Sequence, residues 1–412
     1  MSKLNPRQLG LSEEDLAALG YTVRDSAAIG ADTGPGSGHA LGADVPDLGD
    51  APSRPEKISG GGRRWSWTAG LLLLAAWSAG TGRQATGSVA ANQPDSVFSS
   101  ARAMSQLVDI ARAPRAPGSV ELARVSALLR QRLDGLGLQV STPARSPVQW
   151  SAADPAGAMI DAMMAENVVS RLGGSASTGT VLVTAHYDTR PLSPGAGDGA
   201  LGVAATLEAL RALAAGSPLR NDVVVLFADG ESLGGLGLQA FVEEHPWMTD
   251  VRYSVSLEHA GASGVSWVVS DPGRGASVGL LDHVNDPVST SLSVDLPHAL
   301  PGGPARARLG ELGIPGIVLG TIGGRGWHGS ALDAPIRVDE TTLSHQGAQL
   351  LSVLRRMGDE ELASASLFEE AAELRAPVTG VGVVTYPMSW SACLLYTSPS
   401  PRDCNEYLVC RL

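Results

Sequence analysis

A chain of 412 residues with a formal net charge of -12 and no Lys/Arg patch carries no electrostatic footprint for a nucleic acid, so no nucleic-acid partner is expected. Hydrophobic residues make up 43% of it, enough for a large core, and its 50 glycines are dispersed as in loops, which argues against a repeat protein. The 3 cysteines are Cys393, Cys404 and Cys410, so residues 1–392 can form neither a disulfide framework nor a thiolate metal site.

Residues 1–62 are dominated by Gly, Ala, Asp, Pro and Ser. Such a segment buries too little apolar surface to offset its ordering entropy and is expected to be disordered, apart from a short helix capped by Ser12 and running to Leu19. Arg63 and Arg64 then precede an uncharged stretch from Trp65 to Gly82, closed by Arg83. Its length falls within the range for a membrane helix, and Trp65, Trp67 and Trp77 suit the interfaces. The paired arginines predict a signal-anchor over residues 63–83, with the N-terminus in the cytoplasm and the following domain outside.

Phe98 to Arg112 and Glu121 to Leu136 read as amphipathic helices; in the second, Leu122, Val125, Leu129, Leu133 and Leu136 share a face. The apolar run Val181-Leu182-Val183 leads into Thr184-Ala185-His186-Tyr187-Asp188, and a strand ending in His-X-Asp puts imidazole and carboxylate on one side of the backbone. After the turn Pro194-Gly195-Ala196-Gly197 comes Asp198, near the start of a helix whose Val203, Leu207, Leu210 and Ala214 recur at helical spacing. Val223 to Phe227 is a second buried strand with Asp229-Gly230-Glu231 just past its end, where open α/β sheets bind ligands. Strand, turn, helix, strand is a βαβ unit with acidic groups at one rim. Tyr253 to Leu257 reads as a strand before Glu258, His328 follows later, and a helix from Leu343 to Met357 closes a domain over residues 95–358. The acidic stretch that follows, residues 359–376, is a linker or solvated helix. His39, His245, His283, His298 and His345 match no metal spacing.

In these motifs and their order the chain resembles the co-catalytic di-zinc aminopeptidases of clan MH, within them the membrane-anchored vacuolar-type and endoplasmic-reticulum-type members. The resemblance covers Phe98 to Gly358. It implies an α/β fold with a mixed, mostly parallel central sheet flanked by helices, a peptide substrate, and one or two zinc ions. By it, His186, Asp198 and Glu258 would hold one zinc, and Asp198 would bridge to a second held by His328. Asp188 would orient His186, Asp333 would support the His328 loop, and Glu231 would be the general base. These residue types suit those roles: imidazole and carboxylate bind zinc, a carboxylate behind a ligating His sets its tautomer, and an unligated Glu can take a proton from water.

The chain departs from the pattern in places. Where these relatives read Asp-Gly-Glu-Glu, it reads Asp229-Gly230-Glu231-Ser232, so the remaining ligand of the second zinc is a neutral hydroxyl. Ser256 and His259 flank Glu258 where Asn and Arg are more usual, and Gly303 to Ala307 lacks the usual acidic and aromatic residues. The sequence therefore implies an exopeptidase with one tight zinc, or a catalytically weakened or inactive domain that kept the fold. Residues 377–392, through Val378 to Pro387, resemble the entry into the membrane-helix bundle of these relatives. Residues 393–412, from Cys393 through the Ser-Pro stretch to Leu412, resemble a translated sequencing adapter and are set apart from the fold.

Overall fold

Val181-Leu182-Val183 and Val223 to Phe227 are apolar at every position because the sheet they enter is covered on both faces. In the computed structural model of the protein, the described residues are 87–141, 145–153, 159–270, 278–281, 283–289, 304–363, 373–378 and 382–387. The expected disordered segment, the signal-anchor and residues 388–412 lie outside them. Among the described residues no helix is long and apolar enough to cross a membrane.

The strands are β1 (Gln139–Val140), β2 (Arg145–Ala153), β3 (Met159–Glu166), β4 (Val168–Leu172), β5 (Thr180–His186), β6 (Asp222–Ala228), β7 (Val251–His259), β8 (Trp267–Ser270), β9 (Gly316–Thr321), β10 (Glu373–Val378) and β11 (Gly382–Pro387). The α-helices longer than one turn are α1 (Ser100–Ile110), α2 (Val120–Gly135), α3 (Leu201–Ala214), α4 (Leu236–Glu244), α5 (Pro304–Glu311) and α6 (Glu340–Asp359). Seven strands form one sheet in the order β1-β4-β6-β5-β7-β9-β8. The central four, β6, β5, β7 and β9, are parallel, and the three flanking pairings are antiparallel, which gives the expected mixed sheet with a parallel centre.

Alternate side chains divide the core. Val181, Val183, Ala185, Val223, Val225, Phe227, Val255 and Leu257 pack with α1, α2, α3 and α6, whereas Leu182, Val224, Leu226 and Ala228 pack with Leu238 and Phe241 of α4 and Leu309 of α5. The helices start where capping side chains satisfy first-turn amides: Ser99 for α1, Ser119 for α2 and Asp339 for α6. On α2 the expected face is buried at Leu122, Val125, Leu129 and Leu133, while Leu136 caps the end half-buried.

One expectation shifts. The helix after Asp198 does not present one apolar stripe: every residue of α3 from Leu201 to Leu210 is buried and Ala214 is exposed. It is walled by the sheet on one side and by α1 and α6 on others, so periodicity has no solvent face to mark. Val378 and Gly382 to Pro387 lie in an antiparallel pairing of β10 with β11, and Val383 packs against the core, while residues 379–381 lie outside the described residues.

Candidate metal centre

His186, Ala228, Glu258 and Thr321 all sit at the C-terminal ends of the four parallel strands. Thr184 of β5 pairs with Ser256 of β7, so His186 and Glu258 lie two residues further along adjacent strands on one face. Below them Thr184 Oγ1 donates to Ser256 Oγ across 2.9 Å, a buried bond that uses the Ser at this departure position. His186, Ala228, Glu231, Leu238 and Glu258 line one cleft at this edge.

Asp198 enters the same place from a turn. As expected it lies near a helix start, on a kink three residues before α3, with φ -85° and ψ 97°, followed by Gly199 at φ 95°. A side chain at 199 would bring a Cβ within 2.9 Å of the His186 carbonyl and 3.1 Å of its ring, so glycine permits both the left-handed turn and the close approach. His186 Nε2 meets Asp198 Oδ1 at 3.1 Å, and His328 Nε2 lies 3.7 Å from Asp198 Oδ2. Two imidazoles from opposite ends of the domain sequence thus face the two oxygens of one carboxylate.

Asp188 is fully buried behind His186. His186 Nδ1 stands 3.1 Å from the Asp188 carbonyl oxygen and 3.4 Å from its Oδ1. The Asp188 carboxylate also accepts from Glu231 N at 3.1 Å, from Ser232 N at 3.0 Å, and from Ser232 Oγ at 2.6 Å. One carboxylate therefore ties the imidazole to the loop that carries Glu231, and Ser232 spends its hydroxyl on that tie. Asp333, expected to support the His328 loop, does more for the other side: its carboxylate accepts from Gly197 N at 2.7 Å and Asp198 N at 3.0 Å, which fixes the Asp198 turn.

The charges follow from this packing. Burial works against a charged His186, but the bonds to Asp188 and Asp198 prevail and hold its pKa well above 6.5. Burial likewise opposes ionised Asp198; the His186 bond overcomes it and brings the pKa down to about 2. Asp229 goes the other way, pushed up to about 7 by burial, despite Glu166 N donating to its Oδ2 at 3.0 Å. His259, on the opposite face of β7 from Glu258, is buried beside Gln346 of α6 with Nε2 to Oε1 at 3.0 Å, and burial lowers its pKa to about 4. His345 and His245 are also held within the fold, His345 by Ser266 N and His245 stacked on Phe241.

Among the described residues no three His, Cys, Asp or Glu side chains are grouped so as to hold a metal ion as they stand, and His186 and Asp198 bond each other directly. The donors nevertheless fit a zinc ion in kind: two imidazole Nε2 atoms, the oxygens of Asp198, and Glu258 in the adjoining cleft. His328 Nδ1 is buried without a hydrogen-bond partner. Asp229 and Asp333 show their environment only in the fold, and Arg115, fully buried behind the site, carried no motif. The one trace of Arg115 in the sequence is a basic residue flanked by Ala and Pro between two amphipathic helices.

Residues 167–354 match the model of peptidase family M28. A vacuolar membrane protease of Candida dubliniensis is 31% identical over 191 residues, which cover 45% of this chain and 20% of that protein. Endoplasmic reticulum metallopeptidase 1 of Rattus norvegicus is 28% identical over 231 residues, 52% of this chain and 25% of that protein. The chain therefore aligns with about a fifth to a quarter of the length of these relatives. A solved Zn-dependent exopeptidase from Parabacteroides distasonis shares the fold at TM-score 0.51 and 19% identity, covering 64% of this chain and 99% of the other.

Proposed function

We propose, from the place of residues 167–354 within peptidase family M28, that this chain is a zinc-dependent exopeptidase of aminopeptidase type, using Glu231 as general base. The observation that carries this reading is the convergence of His186 Nε2 and His328 Nε2 on the two oxygens of Asp198. His186, Asp198 and Glu258 would hold one zinc, with His328 and Asp198 the remnants of a second position. Bound zinc supplies Lewis acidity toward a peptide carbonyl and brings the pKa of water near about 7.

The chain's own groups do the rest. Asp188 holds the His186 ring through Nδ1 and leaves Nε2 directed at Asp198. Glu231, lining the cleft with His186 and Glu258, takes the proton of the attacking water and returns it to the leaving amine. Its amide donates to Asp188, so base and imidazole share one anchor. Ser232 offers no carboxylate and its hydroxyl already serves Asp188, which favours one tight zinc over two.

That same bond supports a second reading, a fold that has lost turnover. Zinc content after extensive dialysis, with hydrolysis of aminoacyl substrates assayed alongside, separates the two. One zinc per chain and chelator-sensitive cleavage support the peptidase; no zinc and no cleavage leave the inactive domain. A relative named as a vacuolar membrane protease supports an anchored chain, and the Arg63-Arg64 flank favours a peptidase domain outside the cytoplasm. Protease added to intact cells would remove the domain in that topology, and protection until lysis would reverse it.

A further inference from the structure

Arg115 stands in the loop between α1 and α2 and heads the fully buried side chains among the described residues by size. Charged side chains are almost never buried so completely unless paired. Here the donors go to carbonyl oxygens: Nε to Tyr187 at 2.8 Å, Nη1 to Ile110 at 3.1 Å and Pro194 at 2.6 Å, and Nη2 to Gly195 at 3.1 Å. Its backbone pairs both ways with Thr189, Arg115 N donating to Thr189 Oγ1 at 2.7 Å and Thr189 N to the Arg115 carbonyl at 2.9 Å.

These partners belong to two separate pieces of the site. Tyr187 and Thr189 flank Asp188 and follow His186, whereas Pro194 and Gly195 open the turn that carries Asp198. Gly195 has φ 57°, and a Cβ there would fall 2.2 Å from Thr189 Cγ2, 2.6 Å from the Asp198 carbonyl oxygen and 3.2 Å from Nη2, so the turn fits closely against Thr189 with the guanidinium beside it. Burial lowers the pKa of Arg115 to about 10, with Asp188, Asp198 and Asp333 opposing the fall, so the group stays cationic at neutral pH. A planar fork can reach carbonyls of two segments at once; a Lys ammonium, with its donors at one point, cannot span them.

We infer that Arg115 is a positioning residue that holds the His186–Asp188 strand end and the Asp198 turn in register in the metal-free protein, and so sets the zinc affinity of the site. Its geometry stands independently, while the consequence for zinc rests on the peptidase reading above.

The test uses the full chain and the variants Arg115→Lys, Arg115→Met and Thr189→Val. Hydrogen exchange of metal-free protein should speed up at least about tenfold at amides of residues 187–200 in Arg115→Lys, with the amides of β6 and β7 unchanged. Thr189→Val, which keeps the guanidinium and removes one acceptor, should give a smaller rise in the same segment. Zinc affinity, measured by competition with a chelator, should fall about 10–100-fold in Arg115→Lys. Wild-type exchange at residues 187–200 in Arg115→Lys would overturn the proposal. So would an equal loss of protection across the central strands, which marks a merely structural role. Arg115→Met risks misfolding; the Lys and Val variants decide the matter without it. A wild type that takes up no zinc but shows the localised exchange pattern defeats the peptidase reading and leaves the positioning role standing.

Discussion

His186 and His259 end neighbouring parallel strands, both with little solvent, yet their charges are set in opposite directions. His186 lies between the carboxylates of Asp188 and Asp198, and its pKa is held well above 6.5; His259 lies against Gln346 and the α3 backbone at Gly202, and its pKa drops to about 4. Burial acts the same way on each. What differs is whether the partner is a charge or an amide, and that follows from strand parity, which sends Glu258 to the cleft and His259 to the helices. One imidazole is favoured in its charged form between two carboxylates, and the other is a neutral strut.

The contrast can be broken most sharply by removing chemistry on one side only. Glu231→Gln should lower turnover by about a hundredfold to ten-thousandfold while zinc content stays at the wild-type level, as assayed by steady-state kinetics and metal analysis. His186→Ala should lose the zinc itself, whereas His259→Leu should keep it. In His259→Leu the stranded amide of Gln346 should instead cost about 1–3 kcal/mol of stability, read from denaturant unfolding.

Protons sharpen the same comparison. A folded pKa raised at His186 means that its imidazolium stabilises the metal-free protein below about 6.5, and that this stabilisation is lost as pH rises through the higher folded value. Zinc must displace that proton, so affinity should climb with pH and binding should release about one proton, measured by calorimetry in buffers of different ionisation enthalpy. His259, already neutral, should contribute none.

Asp229 gives a smaller effect away from both rings. Its folded pKa near 7 lies above the usual 3.8, so the neutral acid is favoured on folding: that stabilisation is complete below 3.8 and is lost as pH rises through 7. The difference corresponds to at most about 4 kcal/mol. Asp229→Asn should therefore be more stable than wild type at pH 8 and should flatten the stability profile between these values. Least of all, Ser232→Ala removes one donor to Asp188 and should weaken zinc binding by no more than about tenfold, since the two backbone amides of residues 231 and 232 still hold that carboxylate.

Much of this arrangement was legible because it obeys short-range rules. Apolar runs at Val181 and Val223 gave the central strands, helical spacing gave the buried face of α2, and the order of the motifs supplied the resemblance that assigns His186, Asp198, Glu231, Glu258 and His328 to one site. Other features depend on contacts remote in sequence. Asp333 fixes the Asp198 turn through two amides more than a hundred residues upstream, and no local pattern announces that. The all-round burial of α3 erased the polar face on which periodicity relies. Helical spacing after the Gly-rich turn places Asp198 near the start of α3, but the kink at Asp198 and Gly199 depends on a φ that composition does not show. Arg115 escaped because its partners are main-chain carbonyls, which every residue has.

The parallel centre of the sheet has a consequence for how the protein is made. Pairing β5 with β7 brings Thr184 to Ser256, and pairing β7 with β9 brings Glu258 to Gly320, so each closure joins positions separated by a long stretch of chain that carries other strands and helices. Such topologies fold slowly, since loop-closure entropy is spent before the contacts that reward it form. During synthesis His186, Asp198, Glu231 and Glu258 all leave the ribosome well before His328 does. Up to that moment the nascent chain holds an acidic, incomplete rim, and its capacity to engage metal with both imidazoles begins only once β9 has docked.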